Sequence, residues 1–221
     1  MASIAKSIGM LVRHEVRQEL RQRYALSGLL LYVVSTVFIT YLAFRQVIGE
    51  DTWVALFWII MLFASVNSVG KSFAQEPQGR LLYLYTLVPP QALIIAKLIY
   101  NVLLLCVLGI LCYAVFALLV GSPFENAGVF FIGMLLGSAG LAGTMTLISA
   151  IASKSPNSAT LTAILGFPLI LPVLLTVIRF SQNALTENAM EANLKSGAVL
   201  LLLNVIVIAL SYILFPYLWR E

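Results

Sequence analysis

The residue types that usually carry out enzyme chemistry are scarce in this chain. His14 is the one histidine among 221 residues. A Ser-His-Asp triad, a histidine-rich metal site and bis-histidine haem ligation within one chain are therefore excluded. Cys106 and Cys112 are six residues apart in one apolar run, so on a helix they point to different faces. We predict no catalytic residues, no metal site and no stably bound cofactor, and we do not expect an enzyme.

The tripeptide Gly70-Lys71-Ser72 looks like the end of a phosphate-binding loop. The motif G-x-x-x-x-G-K-[ST] needs a glycine at position 65, which is Ser65, and it should follow a strand rather than an apolar helix. Lys71 is better interpreted as a basic residue at the cytoplasmic end of a membrane span. If the chain takes part in active transport, ATP is hydrolysed on another polypeptide.

The composition predicts an integral membrane protein in a lipid bilayer. The chain is 61% hydrophobic and 10% charged, with a mean hydropathy of +1.00. A soluble domain is about 25% charged and about 45–50% apolar. The net charge of +4 indicates no nucleic-acid partner, because the basic residues are concentrated beside the apolar runs.

Six apolar runs are long enough to cross a bilayer. They predict an all-α integral membrane protein with a single transmembrane domain over residues 1–221. An amphipathic, basic interfacial helix precedes them at residues 4–24. Residues 180–197 form a longer outer connection with its own short surface helix. The spans cover about 25–44, 52–70, 91–120, 127–152, 158–178 and 197–219. Aromatic residues near the run ends suit a membrane interface: Tyr24, Tyr41, Trp53, Trp58, Tyr217 and Trp219.

The distribution of basic residues predicts the orientation of the spans. With the N-terminus in the cytoplasm, the outer side holds only Arg45, Arg179 and Lys195, and the other ten of the thirteen lysines and arginines are inside. Lysine and arginine are enriched in cytoplasmic loops. Both termini are therefore expected in the cytoplasm.

A charged segment at residues 75–90 separates the second and third runs. A short amphipathic helix fits Gly79 to Leu87, and the pair Pro89-Pro90 ends it. The next helix can start from Gln91. A soluble motor could push on such a surface helix. Spacing alone favours the other interpretation, a structured loop that packs on its own helix ends.

The fourth and fifth runs carry residues that affect helix packing. Small residues at spacings of three and four let helices approach closely, and Pro168 and Pro172 should kink or break the fifth helix. The prolines could form a conformational hinge or be only architectural. Interhelical hydrogen bonding is the default role of Asn67, Asn101 and Asn204, and lining a transport path is the alternative. The small residues of the fourth run are Gly133, Gly137, Gly140 and Gly143.

Two stretches of the chain resemble the haem exporter protein B family (CcmB-like) of cytochrome c maturation, a membrane subunit of the ABC-2 exporter type. They are FAQEPQGRLLYLYTLVPPQALIIAKLIYN at 73–101 and GTMTLISAIASKSPNSATLTAILGFPLILPVLL at 143–175. The family's loop commonly has a second acidic residue after the glycine, where this chain has LLYLYT.

The resemblance implies a permease subunit with haem as possible cargo and ATP on a cytoplasmic ABC ATPase subunit. Further implied partners are a haem-handling membrane protein, a small membrane subunit and a periplasmic haem chaperone. A homodimer is possible through the glycine face of the fourth span. The alternatives are an ABC-2-type exporter subunit for another amphiphile, and a scaffold for cytochrome assembly factors that transports nothing. In the first interpretation the residues that couple the chain to the ATPase are Glu76, Gly79, Arg80, Leu81, Leu84 and Tyr85.

Overall fold

The computed structural model describes residues 4–21, 23–44, 48–70, 72–73, 88–124, 127–155, 157–186 and 189–220. Within these ranges the chain is helical and contains no strand, as the all-α prediction requires. The helices are α1 (Ile4–Arg21), α2 (Arg23–Ala43), α3 (Glu50–Ser68), α4 (Pro90–Leu119), α5 (Ala127–Ala152), α6 (Ser158–Asn183) and α7 (Ala189–Arg220).

The ends of α3 and α4 follow from local chemistry. Glu50 and Asp51 lie in the first turn of α3, where negative charge is favourable to the helix dipole. Pro90 begins α4, at a position where its missing N–H costs no helical hydrogen bond. After α4, Gly121 has a φ of 92°, a left-handed conformation that glycine adopts without the strain of a side chain.

Five helices are long and apolar enough to cross a membrane: α3, α4, α5, α6 and residues Met190–Leu218 of α7. The stretch Ser27–Ala43 of α2 is apolar but shorter, so the first predicted span, at about 25–44, stays a prediction. The bounds of α5 coincide with those of the fourth predicted span. Helix α6 runs unbroken through Pro168 and Pro172. The helix of the fifth predicted span therefore does not break there.

Helix α5 forms the centre of the bundle. It contacts α3, α4, α6 and α7. In its most apolar stretch 72% of the residues are buried, against 22–44% in the other four spanning helices. A helix that is buried on most of its faces must be apolar or small all round, and the glycine-rich sequence of α5 has this character.

The end of the bundle formed by the start of α3 and the end of α4 is filled by aromatic rings. Trp53 stacks on Phe57 with 5.6 Å between ring centroids and meets Phe116 at 4.9 Å. Its indole N–H donates to the carbonyl oxygen of Gly121 at 3.2 Å. Trp53 and Trp58 are both fully buried, so neither ring is presented on the outer surface of the bundle, and their position at a membrane interface stays a prediction. They pack in this aromatic cluster because α3 turns both rings inward.

The connection between α6 and α7 is shorter than the sequence predicted. Residues assigned to an outer connection at 180–197 belong largely to the end of α6 and the start of α7. Asparagine side chains join the two helix ends. The Asn193 amide donates to the carbonyl oxygen of Phe180 at 3.0 Å, and the Asn183 amide donates to Asn193 Oδ1 at 3.2 Å. The first bond gives the carbonyl oxygen of Phe180 a second donor beside the N–H of Ala184, and together the two bonds hold the end of α6 against the start of α7.

Candidate functional site

The predicted coupling segment, residues 75–90, is described only at Val88–Pro90. The six residues predicted to couple the chain to an ATPase, between Glu76 and Tyr85, lie outside the described residues. The chain on either side is described: Ser72 and Phe73 precede the segment, and α4 follows it. The contacts of these two flanks therefore define how the segment is attached to the bundle.

Lys97 joins the two flanks of the segment. It lies about two turns into α4 and is only 3% exposed. Its Nζ donates to the carbonyl oxygen of Ser72 at 3.0 Å, lies 5.1 Å from the ring centroid of Phe73, and is 3.4 Å from Oε1 of Glu15 on α1. A buried ammonium group needs a counter-charge and hydrogen-bond acceptors. Lys97 obtains its counter-charge from Glu15 on α1 and its acceptor from the residues that follow α3.

Phe73 joins the residues that follow α3 to two further helices, α5 and α7. Its backbone N–H donates to Oγ of Ser149 on α5 at 3.2 Å. Its ring lies 5.4 Å from the ring of Phe215 on α7, and it is buried together with Leu93 and Leu98 of α4. We call this arrangement the basal junction. Its members are Glu15, Ser72, Phe73, Lys97, Ser149 and Phe215.

Two unsatisfied polar atoms lie at or near the basal junction. Within the described part of the chain, Gln18 Oε1 and Ser72 Oγ are buried here without a hydrogen-bond partner, whereas the hydroxyl of Tyr100 interacts with the side chain of Glu19 on α1. Gln18 is one turn from Glu15 on α1, and Tyr100 is one turn from Lys97 on α4. Most buried polar groups in proteins are hydrogen-bonded. The amide oxygen of Gln18 and the hydroxyl of Ser72 therefore keep unused hydrogen-bonding capacity beside the junction.

Hydrogen bonds continue from the junction into the bundle. Asn101, one turn beyond Lys97, donates to Oγ1 of Thr146 on α5 at 2.8 Å. Asn204 on α7 donates to the carbonyl oxygen of Leu136 on α5 at 3.1 Å. Asn101 and Asn204 thus join helices, which is the default role expected for them. Asn67 instead donates to Phe63 of its own helix and is exposed.

The four glycines of α5 face other helices of the same chain. A Cβ atom at Gly133 would lie 2.5 Å from Cδ1 of Phe180, and one at Gly140 would lie 2.7 Å from Cγ1 of Val173. A Cβ atom at Gly137 would lie 2.5 Å from Cγ2 of Val177 and would also strike the ring of Trp58. Gly143 is the least crowded of the four, with Val207 at 3.1 Å. Because this face is covered by α3, α6 and α7, it cannot serve a homodimer as the sequence suggested.

Pro168 and Pro172 lie on the side of α6 that faces away from α5. Both are exposed, whereas Ile170, Val173 and Val177 of the same helix are buried. Each proline removes one backbone donor from the helix. The hydroxyl of Thr176 donates to the carbonyl oxygen of Pro172 at 2.7 Å. The prolines therefore weaken the outer face of α6 without disturbing its packing against the glycines.

Sequence reasoning missed the ion pair of the basal junction. It did not pair Glu15 with Lys97, and it counted Lys97 only among the ten basic residues expected on the cytoplasmic side. A lysine two turns inside an apolar run of about 30 residues was the available signal, because such a group rarely stays unpaired. The described residues contain no group of three or more His, Cys, Asp or Glu side chains that could hold a metal ion.

One comparison with known proteins gives a match. A family model described as CcmB protein matches residues 6–217, which extend from α1 to α7 and include the whole basal junction. The comparison with curated proteins gives no match, and the comparison with solved structures also gives none.

Proposed function

The chain belongs to the CcmB family, and from this premise we propose that it couples ATP hydrolysis on a separate ABC ATPase subunit to haem delivery. Family membership assigns the chain to the membrane components of the haem exporter of cytochrome c maturation. It is a multi-pass membrane protein and a transporter subunit rather than an enzyme. The ATPase, in this proposal, docks on residues 75–90, with polar contacts from Glu76 and Arg80 and apolar contacts from Leu81, Leu84 and Tyr85.

The basal junction is the observation that supports this proposal. Lys97 holds the residues before the segment to the helix after it, through Ser72 and Phe73. It also holds α1 through Glu15. A displacement of the segment must then move its two flanks together, and Phe73 carries that movement to α5 and α7.

The energetics favour movement of the junction as one unit. Leaving one charge of a buried ion pair without its partner costs about 3–5 kcal/mol, whereas tilting the two helices that carry the charges keeps the pair intact. The unsatisfied amide oxygen of Gln18 can form a new hydrogen bond in a tilted state. We infer that Pro168 and Pro172 absorb the bending as a hinge on the outer face of α6.

The complex has further partners in this proposal. They are a haem-handling membrane protein, a small membrane subunit and a periplasmic haem chaperone. The work of ATP hydrolysis serves either haem transfer or release of the loaded chaperone. The orientation has both termini in the cytoplasm of a bacterial inner membrane. A homodimer would use an outer face of the bundle, since the glycine face of α5 is occupied.

The test compares covalent haem in c-type cytochromes by haem-stained gels of membranes. One strain lacks this gene, and a second carries a catalytically inactive ATPase partner. Loss of haem attachment in both supports ATP-driven work in haem delivery. Loss only in the deletion would indicate a scaffold, and no loss in either would indicate an exporter of another amphiphile.

A matched set of variants tests the docking segment in the same assay. Gly79→Pro and Arg80→Glu are expected to abolish haem attachment while the protein still inserts in the membrane at normal level. Lys154→Glu is the control, because Lys154 is exposed, lies in another connection and suffers the same charge reversal. Full activity of the double variant Gly79→Pro, Arg80→Glu would contradict the docking role.

A further inference from the structure

Helix α1 presents two opposite faces of different character. One face lies against the bundle and includes the half-buried residues Ile8, Leu11, Glu15 and Glu19. Leu11 packs against the apolar cluster of the basal junction, and Glu15 pairs with Lys97. Both carboxylates of α1 are therefore on the side that faces α4, and they do not neutralise the opposite side.

The opposite face carries a row of arginines. Arg13, Arg17 and Arg21 are spaced by four residues, so they lie one above another on a helix. All three are exposed, and among the described residues none of them forms an ion pair or a hydrogen bond. A row of guanidinium groups with no acidic neighbour on its own face attracts anions, and the planar guanidinium matches a phosphate in a bidentate geometry.

An apolar strip adjoins the arginine row. Leu20 is 63% exposed, and Val16 on the preceding turn is 36% exposed. Helix α1 ends at Arg21 and the apolar helix α2 starts at Arg23. The last turn of α1 must therefore lie at the level where α2 enters the membrane. At that level an apolar strip meets acyl chains while a basic row beside it meets lipid phosphates.

We propose that α1 binds the headgroups of anionic phospholipids through Arg13, Arg17 and Arg21. This goes beyond membrane insertion, because it assigns a preference for negatively charged lipid to one face of one helix. Lipid fits the surface better than an acidic protein does, because the apolar strip continues directly into α2. The proposal depends on the position of α1 and not on the coupling of ATP hydrolysis.

The test titrates the purified full-length protein in mild detergent with dioleoyl phosphatidylglycerol or dioleoyl phosphatidylcholine. The shift in thermal unfolding temperature gives an apparent affinity for each lipid. The wild type is expected to bind phosphatidylglycerol more tightly, and raising the salt concentration should weaken that binding. The variant Arg13→Gln, Arg17→Gln, Arg21→Gln is expected to lose about a hundredfold in apparent affinity, at the usual contribution of a basic residue near an anionic surface.

The control variant carries Lys154→Gln, Arg179→Gln and Lys195→Gln. All three residues are exposed, and their substitution removes the same total charge from other parts of the chain. It should keep the wild-type preference. Equal loss in both variants would reduce the effect to net charge and overturn the proposal, as would a wild type that shows no preference.

Two further results separate this proposal from the others. If the arginine variant unfolds, replacing the three arginines by lysine keeps the charge and should keep most of the preference. Unchanged lipid binding by the arginine variant with loss of haem attachment in cells would assign this face to a protein partner, which also overturns the lipid proposal. No ATPase or cytochrome enters the titration, so its failure is distinct from failure of the coupling proposal.

Discussion

Replacing Lys97 by methionine should destabilise the protein strongly, and a second substitution at Glu15 should recover part of the loss. At 3.4 Å the two charges attract each other by about 5 kcal/mol at an effective dielectric of about 20, but desolvation offsets much of this. Removing one partner of a buried pair costs about 3–5 kcal/mol. Glu15 keeps 14% exposure and can draw in water. We therefore expect Lys97→Met to cost about 3 kcal/mol, at the low end of that range.

Replacing the other member of the ion pair, Glu15, should lower the free energy of unfolding by less. In Glu15→Gln the ammonium group keeps the carbonyl oxygen of Ser72 and the ring of Phe73, so we expect a loss of about 2 kcal/mol, as for a charged hydrogen bond. The double variant leaves no unpaired charge in the junction. Its loss should be about 2–3 kcal/mol rather than the sum of the single losses, which gives a coupling energy of about 2–3 kcal/mol.

Reversible unfolding in mixed micelles, followed by far-ultraviolet circular dichroism, measures these free energies. Lys154→Met serves as the control, because an exposed lysine away from the junction should change stability by less than about 0.5 kcal/mol. Single losses that add within about 0.5 kcal/mol would mean that Lys97 and Glu15 do not act as a pair. That result would refute the reasoning built on the basal junction.

Three other substitutions test separate features. Gly137→Ala should destabilise by about 1–3 kcal/mol through overpacking, whereas Gly128→Ala, where a Cβ atom meets nothing within 4 Å, should be neutral or stabilising in the same unfolding assay. Pro168→Ala with Pro172→Ala should restore two helical hydrogen bonds, raise stability and slow haem attachment; unchanged attachment would make the prolines architectural. Arg80→Glu should abolish ATPase stimulation in the reconstituted complex without changing the unfolding free energy, and a fall in stability would instead indicate a packing role.

Apolar length and small-residue spacing predicted the features of the fold that depend on local sequence. The bounds of α5 follow from an uninterrupted apolar run, and its glycines at spacings of three and four lie where other helices come closest. The interhelical role expected for Asn101 and Asn204 follows from the cost of an unpaired amide in an apolar region. These inferences need no knowledge of which helix is the neighbour.

The remaining features depend on which helices meet, and a single sequence does not contain that information. The burial of Trp53 and Trp58 was not predicted from their positions in the run, because it depends on α4, α5 and α6. Glu15 and Lys97 are 82 residues apart in the sequence, so their pairing could not be read from local spacing. The lengths of α6 and α7 were misjudged for the same reason, since Asn183 and Asn193 join two helix ends that were expected to lie in one outer connection.

The burial of Trp53 and Trp58 makes the protein its own spectroscopic reporter. Trp53 lies near the start of α3, and Ser72 follows its far end, so roughly 20–25 Å of helix separates Trp53 from the basal junction, and Trp58 is five residues closer. Indole emission responds to polarity and to neighbouring rings. If ATPase docking on residues 75–90 moves the whole bundle, the fluorescence of Trp53 and Trp58 will change at the opposite end, and the variant Trp219→Phe removes the emission of the third tryptophan. A stopped-flow trace of that emission would give the rate at which the motion crosses the membrane.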